Sequence, residues 1–344
     1  MIGVAGELER KKRVLVTGAG GFIGGHLVAE LLRRGFEDVR AVDIKPLGRW
    51  YQEHDGVDNR SVDLRDKGHA FEATDGAAYV FNLAADMGGM GFIETHKAEC
   101  MLSVQINTNL LLGARDRSAE RFLFASSACV YAAEHQTDPD VTALTEADAY
   151  PAMPEDGYGW EKLFSERMCR HFMEDFGLSV RVPRFHNVYG PFGTYAGGRE
   201  KAPAAACRKI IEAQLNGSNE IEIWGDGQQT RSFTYIDDTV EGILRLMESD
   251  VAEPINLGSS QLVTINRLYD IVEEIAGTKV ERKHDLTAPQ GVRGRNSDNT
   301  LILEKLGWEP SISLEDGLAK TYEWIYAQMT SGATDEAALA FTGS

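Results

Sequence analysis

The stretch Arg13-Val14-Leu15-Val16-Thr17-Gly18-Ala19-Gly20-Gly21-Phe22-Ile23-Gly24-Gly25 decides the fold. An apolar run of strand length gives way to glycines three apart, Gly18, Gly21 and Gly24. A helix then starts near Phe22 with Leu27, Leu31 and Leu32 on its apolar face. Strand, glycine turn and helix in that order answer the needs of a phosphate cradle. Those needs are a tight turn, close backbone approach to a pyrophosphate, and helix packed closely on strand. Glycines alone would be weak evidence, but a second strand, Val39 to Val42, ends in Asp43. That acid stands 19 residues after Gly24, where a carboxylate accepts hydrogen bonds from adenosine ribose hydroxyls. It also repels a 2′-phosphate, so the expected cofactor is NAD rather than NADP, with Lys45 partly offsetting the repulsion. Phe22 and Ile23, at the helix N-terminus, complete the expected cofactor cradle.

Further on, Asp63 in Val62-Asp63-Leu64 reads either as a contact to the adenine edge or as a helix N-cap. Tyr79 to Ala85 reads as a buried strand, followed by the Gly- and Met-rich loop Asp86 to Gly91 and a helix over about 98–115. The next strand, Phe122 to Ala125, runs into Ser126-Ser127-Ala128-Cys129. Ligands of open α/β sheets bind just past the carboxyl ends of strands, which places these small residues at a site. Taken alone, Cys129 reads equally as a buried bystander, since cysteine is among the most buried residue types.

Tyr158-Gly159-Trp160-Glu161-Lys162 opens a helix running to about Phe176, and the i, i+4 spacing puts Tyr158 and Lys162 on one face. A free tyrosine, with a pKa of about 10, is a poor base at neutral pH. A lysine ammonium and a nicotinamide cation beside it favour the phenolate. Val180 to Phe185 is another strand, ending in His186-Asn187. Glu220 to Trp224 alternates as a strand closed by Gly225-Asp226-Gly227.

The net charge of −18 over 344 residues disfavours a nucleic-acid or anionic-membrane surface. An anionic small substrate then needs a local basic set, which Arg199, Lys201, Lys209, Arg231, Arg293 and Arg295 provide. No apolar run reaches the ~20 residues that span a bilayer. Met1 to Arg13 reads as a loose leader. Four scattered cysteines without metal spacing indicate a reduced, cytoplasmic protein with no metal site.

Thr17-Gly18-x-x-Gly21-x-x-Gly24, a serine closing a middle strand, and Tyr158-x-x-x-Lys162 together resemble the extended short-chain dehydrogenase/reductase family, with its NAD-dependent epimerases and dehydratases. The resemblance implies an α/β fold, a Rossmann-type doubly wound parallel sheet with a smaller C-terminal α/β substrate-binding lobe. It implies an NAD-binding domain over 12–186, to which 233–260 returns, and a substrate lobe of 187–232 and 261–329. Loose termini are expected at 1–11 and 330–344. The runs Ala84 to Ile93, Ala125 to Cys129, Gly198 to Ala204 and Val292 to Asn299 are more specific. They resemble family members that epimerise a GDP-mannose-type nucleotide sugar, a likeness covering about residues 12–329.

That likeness implies Cys129 and Lys201 as the epimerising acid/base pair, with Tyr158, Lys162 and Ser127 at the oxidation step. It places Gly88, Ser127, Ala128, Cys129, Asn187 and Glu200 around the substrate, together with Lys201, Lys209, Gln229, Arg231 and Arg295. It also implies a homodimer. The chain departs from the family pattern at Ala132-Ala133-Glu134-His135 and at Trp160. Rival readings are a nucleotide-sugar 4-epimerase or 4,6-dehydratase, and a non-catalytic NAD-sensing scaffold. A dehydratase would carry an acidic pair where Ala128-Cys129 stands, a 4-epimerase needs no second acid/base pair, and a scaffold has no need of Tyr158 and Lys162.

Overall fold

The structure is a computed structural model that describes residues 6–288 and 291–331. Its main sheet contains β1 (Arg13–Thr17), β2 (Val39–Asp43), β3 (Asp58–Ser61), β4 (Ala77–Asn82), β5 (Arg121–Phe124), β6 (Ser126–Ser127) and β7 (Val180–Phe185). Smaller strands follow: β8 (Val188–Tyr189), β9 (Glu220–Trp224), β10 (Thr230–Ser232) and β11 (Thr234–Tyr235). The last four are β12 (Pro254–Leu257), β13 (Leu262–Thr264), β14 (Glu281–Asp285) and β15 (Gly294–Arg295). The helices of the first half are α1 (Phe22–Arg33), α2 (Lys67–Ala73), α3 (Met90–Thr95), α4 (Lys97–Asp116) and α5 (Tyr158–Phe176). Those of the second are α6 (Ala202–Asn216), α7 (Ile236–Glu248), α8 (Ile265–Ala276), α9 (Thr300–Leu306) and α10 (Leu314–Thr330).

The main sheet has eight parallel strands in the order β12-β7-β5-β4-β1-β2-β3, with β6 beside β7. β1 is apolar from Val14 to Val16 because both faces of the sheet are covered. Val14 and Val16 pack with Leu27 and Leu31 of α1 and Ile243 of α7. Leu15, on the opposite face, packs with Val42, Val80 and Leu110 of α4. The chain leaves β1 toward β2 on one side and reaches β4 on the other. The strand order therefore reverses at β1, and a crevice opens at its carboxyl end.

Several expectations shift in detail. β4 stops at Asn82, so Leu83 to Ala85 belong to the loop beyond it. Asp63 does not cap a helix; Asp66 caps α2, accepting the His69 N–H at 3.0 Å. Residues 6–11, expected to be loose, are fastened to the body. Leu8 is buried, the Gly6 N–H donates to the Glu248 carbonyl at 2.9 Å, and Arg121 donates to the Gly6 carbonyl at 2.7 Å. The outer parts of the expected loose termini, residues 1–5 and 332–344, lie outside the described residues. Among the described residues no helix is long and apolar enough to cross a membrane.

β12 returns to the main sheet beside β7 after the chain has built α6, β9 and β10 elsewhere. The small sheets β13-β10-β15 and β14-β9 lie outside the main one, and residues of α6, α8 and α10 share an apolar cluster with it. The loops at the carboxyl edge of the main sheet therefore face strands contributed by the second half.

Candidate active site

A cavity of about 540 Å³ opens over the end of β1. Gly18 has φ +70°, and a Cβ there would lie 2.8 Å from the Leu83 carbonyl carbon. A Cβ on Gly24 would lie 2.1 Å from the Gly18 carbonyl oxygen, so α1 can approach the turn only with glycine at that position. No side chain caps α1 at Gly21, which leaves the first-turn N–H groups at a wall formed by Gly21, Phe22, Ile23 and Gly24. Asp43 and Asp63 line the same cavity. Asp43 accepts the Lys45 N–H at 3.0 Å. The Lys45 ammonium is engaged elsewhere, donating to the Gly20 carbonyl at 3.2 Å and lying 3.7 Å from the Tyr51 ring centre. Asp63 is gripped by Arg65, which holds its carboxyl below the usual carboxylate range.

A second cavity of about 410 Å³ adjoins the first, and both are lined by Gly88, Ser127, Tyr158 and Lys201. Tyr158 is positioned as the first residue of α5. Lys162, one turn on, lies with its ammonium 5.5 Å from the Tyr158 ring centre and lines the first cavity. Lys162 and a nicotinamide cation are together expected to bring the phenol into working range; the chain's own groups act the other way. Burial, then Cys129 and Glu161, push the Tyr158 phenol well up, against the pull of the Ser127 hydroxyl. The Lys162 ammonium lies 3.5 Å from the buried Glu161 carboxylate, which spends part of its field there.

Cys129 lines the second cavity from a single helical turn, Ala128–Val130, whose N-cap Ser127 accepts the Cys129 N–H at 3.2 Å. Burial, then the Glu155 carboxylate, push its thiol up to about 11. Lys201, the N-cap residue of α6, is shifted the opposite way, since burial pushes its ammonium below the usual lysine range. Its ammonium makes no hydrogen bond or ion pair among the described residues. The site thus holds a thiol and a lysine whose charged forms are both disfavoured by enclosure, each within the electrostatic reach of the other.

The remaining predicted substrate residues, Ala128, Asn187, Glu200, Lys209, Gln229, Arg231 and Arg295, all line this second cavity. Asn187 takes a left-handed conformation, φ 41°, and donates to the Ser232 carbonyl at 2.9 Å. Lys209 donates to the Glu222 carbonyl at 2.6 Å, and Glu200 pairs with Arg208 at 3.2 Å. Gln229 donates to the Trp224 carbonyl at 3.0 Å and leaves its buried Oε1 without a partner. Arg231 and Arg295 crowd each other, and that repulsion together with burial weakens Arg231's hold on its proton. Two neighbouring guanidinium groups at a cavity wall suit an anion. Arg293 belongs elsewhere: it grips Asp226 through both carboxylate oxygens, each at 3.0 Å, and lines neither cavity.

The sequence model of the NAD dependent epimerase/dehydratase family matches residues 14–258. The chain belongs to that family.

Among curated relatives, it is 47% identical over 346 residues to GDP-mannose 3,5-epimerase 1 of Oryza sativa subsp. japonica, covering 98% of this chain and 90% of that one. Among solved structures it is similar to a UDP-glucose 4-epimerase of Thermotoga maritima determined with UDP-glucose. The TM-score is 0.83 and the identity 29%, over 92% of this chain and 99% of that one. A UDP-glucose 4-epimerase of Thermus thermophilus, determined as a complex with NAD, aligns with TM-score 0.76 and 25% identity, over 94% of this chain and 100% of that one.

For an epimerase/dehydratase family member the glycine cradle passes a direct test of fit. The backbone at Gly18 and Gly24 is too close to its neighbours to admit any side chain, as a pyrophosphate cradle requires. Sequence reasoning missed Glu155 and Gln136. The first pairs with Arg295, and the second accepts the Arg295 Nε–H at 2.6 Å. The one available signal was an acid three residues before the Tyr158 motif. Trp224, Tyr269 and Phe233 also line the second cavity unannounced, being indistinguishable in sequence from ordinary core aromatics.

Proposed function

We propose that this chain is a GDP-mannose 3,5-epimerase. The observation that carries the reading is the placement of Cys129 and Lys201 on one cavity that meets the dinucleotide cavity at Ser127 and Tyr158. Gly18, Gly21, Phe22, Ile23 and Gly24 would hold NAD at its pyrophosphate, Asp43 at a ribose and Asp63 near the adenine, all of them lining the first cavity. When bound, NAD supplies reversible two-electron oxidation of the sugar at C4 and a positive ring charge beside Tyr158.

Ring hydrogens of a sugar become acidic only when a neighbouring carbon is a carbonyl. Tyr158 takes the 4-hydroxyl proton, assisted by Ser127 and by the charge of Lys162. The 4-keto sugar then has acidic hydrogens at both C3 and C5. Inversion needs one group to remove a proton from one face and another to deliver a proton to the opposite face. Cys129 and Lys201 provide that pair, and Arg231 and Arg295 offset the diphosphate charge. Return of the proton from Tyr158 accompanies re-reduction at C4, giving GDP-L-galactose, with GDP-L-gulose when only C5 inverts. A 4-epimerase has no use for the Cys129–Lys201 pair, which weighs against that rival.

The division at residue 186, with 233–260 returning to the first domain, is part of the same proposal and is supported by β12 pairing with β7. A homodimer is supported by Met101 on α4 and Trp160 and Phe164 on α5, large apolar side chains that stand exposed; light scattering of Trp160→Glu against wild type tests it. A cytoplasmic location fits four free, buried thiols. The deciding experiment is incubation with GDP-mannose in deuterated water. Deuterium is expected at C3 and C5 of the recovered nucleotide sugar, and its absence from both positions defeats the proposal.

A further inference from the structure

One buried acid at the site has no part in that chemistry. Glu155 is folded directly against the Cys129 turn, its N–H donating to the Cys129 carbonyl at 3.0 Å. Its Oε1 accepts from Nη2 of Arg295. The same guanidinium donates through Nε to Gln136 at 2.6 Å, and its Nη1 lies 3.7 Å from the Cys129 sulfur. Arg295 is therefore clamped at all three nitrogens, with the thiol as one of the three partners. The other carboxylate oxygen of Glu155, Oε2, is buried and has no hydrogen-bond partner. The Glu155 carboxylate and the Cys129 sulfur thus meet on one guanidinium.

We infer that Glu155 is a positioning residue of the epimerising pair: its carboxylate fixes Arg295 against Cys129 and offsets the guanidinium charge beside the sulfur. The inference rests on the proposed role of Cys129. Everything charged or titratable that faces the sulfur bears on it. Arg295 on β15, Arg231 on β10 and Lys201 at the start of α6 all favour a thiolate, as does the Ser127 hydroxyl. Glu155 and the burial of the site act against them, and Tyr158 on α5 is a neutral phenol whose own ionisation Cys129 opposes. Glu155 is thus the carboxylate that keeps a thiol neutral in a cluster of cations. A carboxylate that served only to pack the fold would not set the titration of Cys129.

The test reads the thiol without turnover. Full-length wild type and Glu155→Gln are treated with iodoacetamide at pH 8, and carbamidomethylation of the Cys129 peptide is followed by mass spectrometry. Loss of the carboxylate charge is expected to lower the thiol's pKa by about one unit or more and so to speed alkylation about ten-fold or more. Glu155→Asp, which keeps the charge, is expected to stay near the wild-type rate. A folded Glu155→Gln protein with a wild-type rate overturns the inference. The pH profile of alkylation in the wild type judges it independently of how Glu155→Gln folds. A Cys129 midpoint above the ~8.5 of a free thiol supports the inference, and one at or below it overturns it. Full epimerase activity in Cys129→Ser would instead defeat the proposed function, so the two failures are told apart.

Discussion

Nη1 of Arg295 lies 3.7 Å from the sulfur of Cys129, although 166 residues separate the two in sequence. The contact joins the main sheet's carboxyl edge to the small β13-β10-β15 sheet and puts a fixed positive charge where a thiolate would develop. Replacing Cys129 by serine keeps the shape but substitutes a far less acidic group. General acid–base catalysis contributes about 10²–10⁴-fold, so Cys129→Ser should slow deuterium incorporation at C3 and C5 by that order. Proton NMR of the product in deuterated water measures it. Oxidation at C4 does not use the sulfur, so transient reduction of bound NAD on mixing with GDP-mannose should persist, visible as absorbance of the reduced nicotinamide.

Lys201 makes the opposite electrostatic compromise. Burial lowers its pKa, so below the pKa of about 10.4 for a free lysine the unfolded chain binds more protons at this position than the folded one. Stability attributable to this residue therefore rises with pH from the lowered folded value up to the unfolded one. Lys201→Met removes a half-buried amine that makes no hydrogen bond or ion pair among the described residues. It should raise stability at pH 7 by on the order of 1 kcal/mol while epimerisation is lost. Thermal unfolding and the deuterium assay together check this. A variant that is both less stable and still active would contradict the assigned environment.

Asp43 and Lys45 bear on cofactor choice from the end of β2. The Lys45 ammonium is occupied by the Gly20 carbonyl and the Tyr51 ring, so it offers little to a 2′-phosphate, and Asp43 repels one. Asp43→Ser should weaken NAD about ten-fold by loss of charge-assisted hydrogen bonds to the ribose. The same change should tighten NADP, narrowing the preference from both sides. Titration calorimetry with each dinucleotide reads the ratio, and an unchanged preference would remove Asp43 from the ribose site.

What could be read in advance followed from local grammar. β1, the glycine turn, α1 and Asp43 are contiguous or nearly so, and their periodicities are set by covering both faces of one parallel sheet. Tyr158 and Lys162 are tied by helix geometry alone. The clamp on Cys129 was beyond such reading because Glu155, Gln136 and Arg295 meet only when β15 closes on the Cys129 turn. Arg231, Arg293 and Arg295 look alike in sequence. The fold sends Arg293 to Asp226 and the other two to the cavity, which only the register of β10 against β15 decides. Asp63, read in sequence as an adenine contact or a cap, lost the cap to Asp66 because α2 starts at Lys67.

His186, directly after β7, is fully buried, with Nε2 2.9 Å from the Asn256 side-chain oxygen and Nδ1 without a partner. Burial pushes its pKa down to about 3 from the usual 6.5. Between those values the unfolded state binds the extra proton, so stability rises with pH across the window and falls as pH drops from 6.5 toward 3. The loss attributable to this residue approaches about 1.4 kcal/mol per pH unit once the unfolded histidine is fully protonated. His186→Gln keeps an amide donor toward Asn256 but cannot titrate. Urea unfolding at pH 7, 5.5 and 4.5 should therefore show a shallower decline for the variant than for wild type (pH values chosen to span about two units of the window). Parallel declines would mean that other groups carry the acid sensitivity.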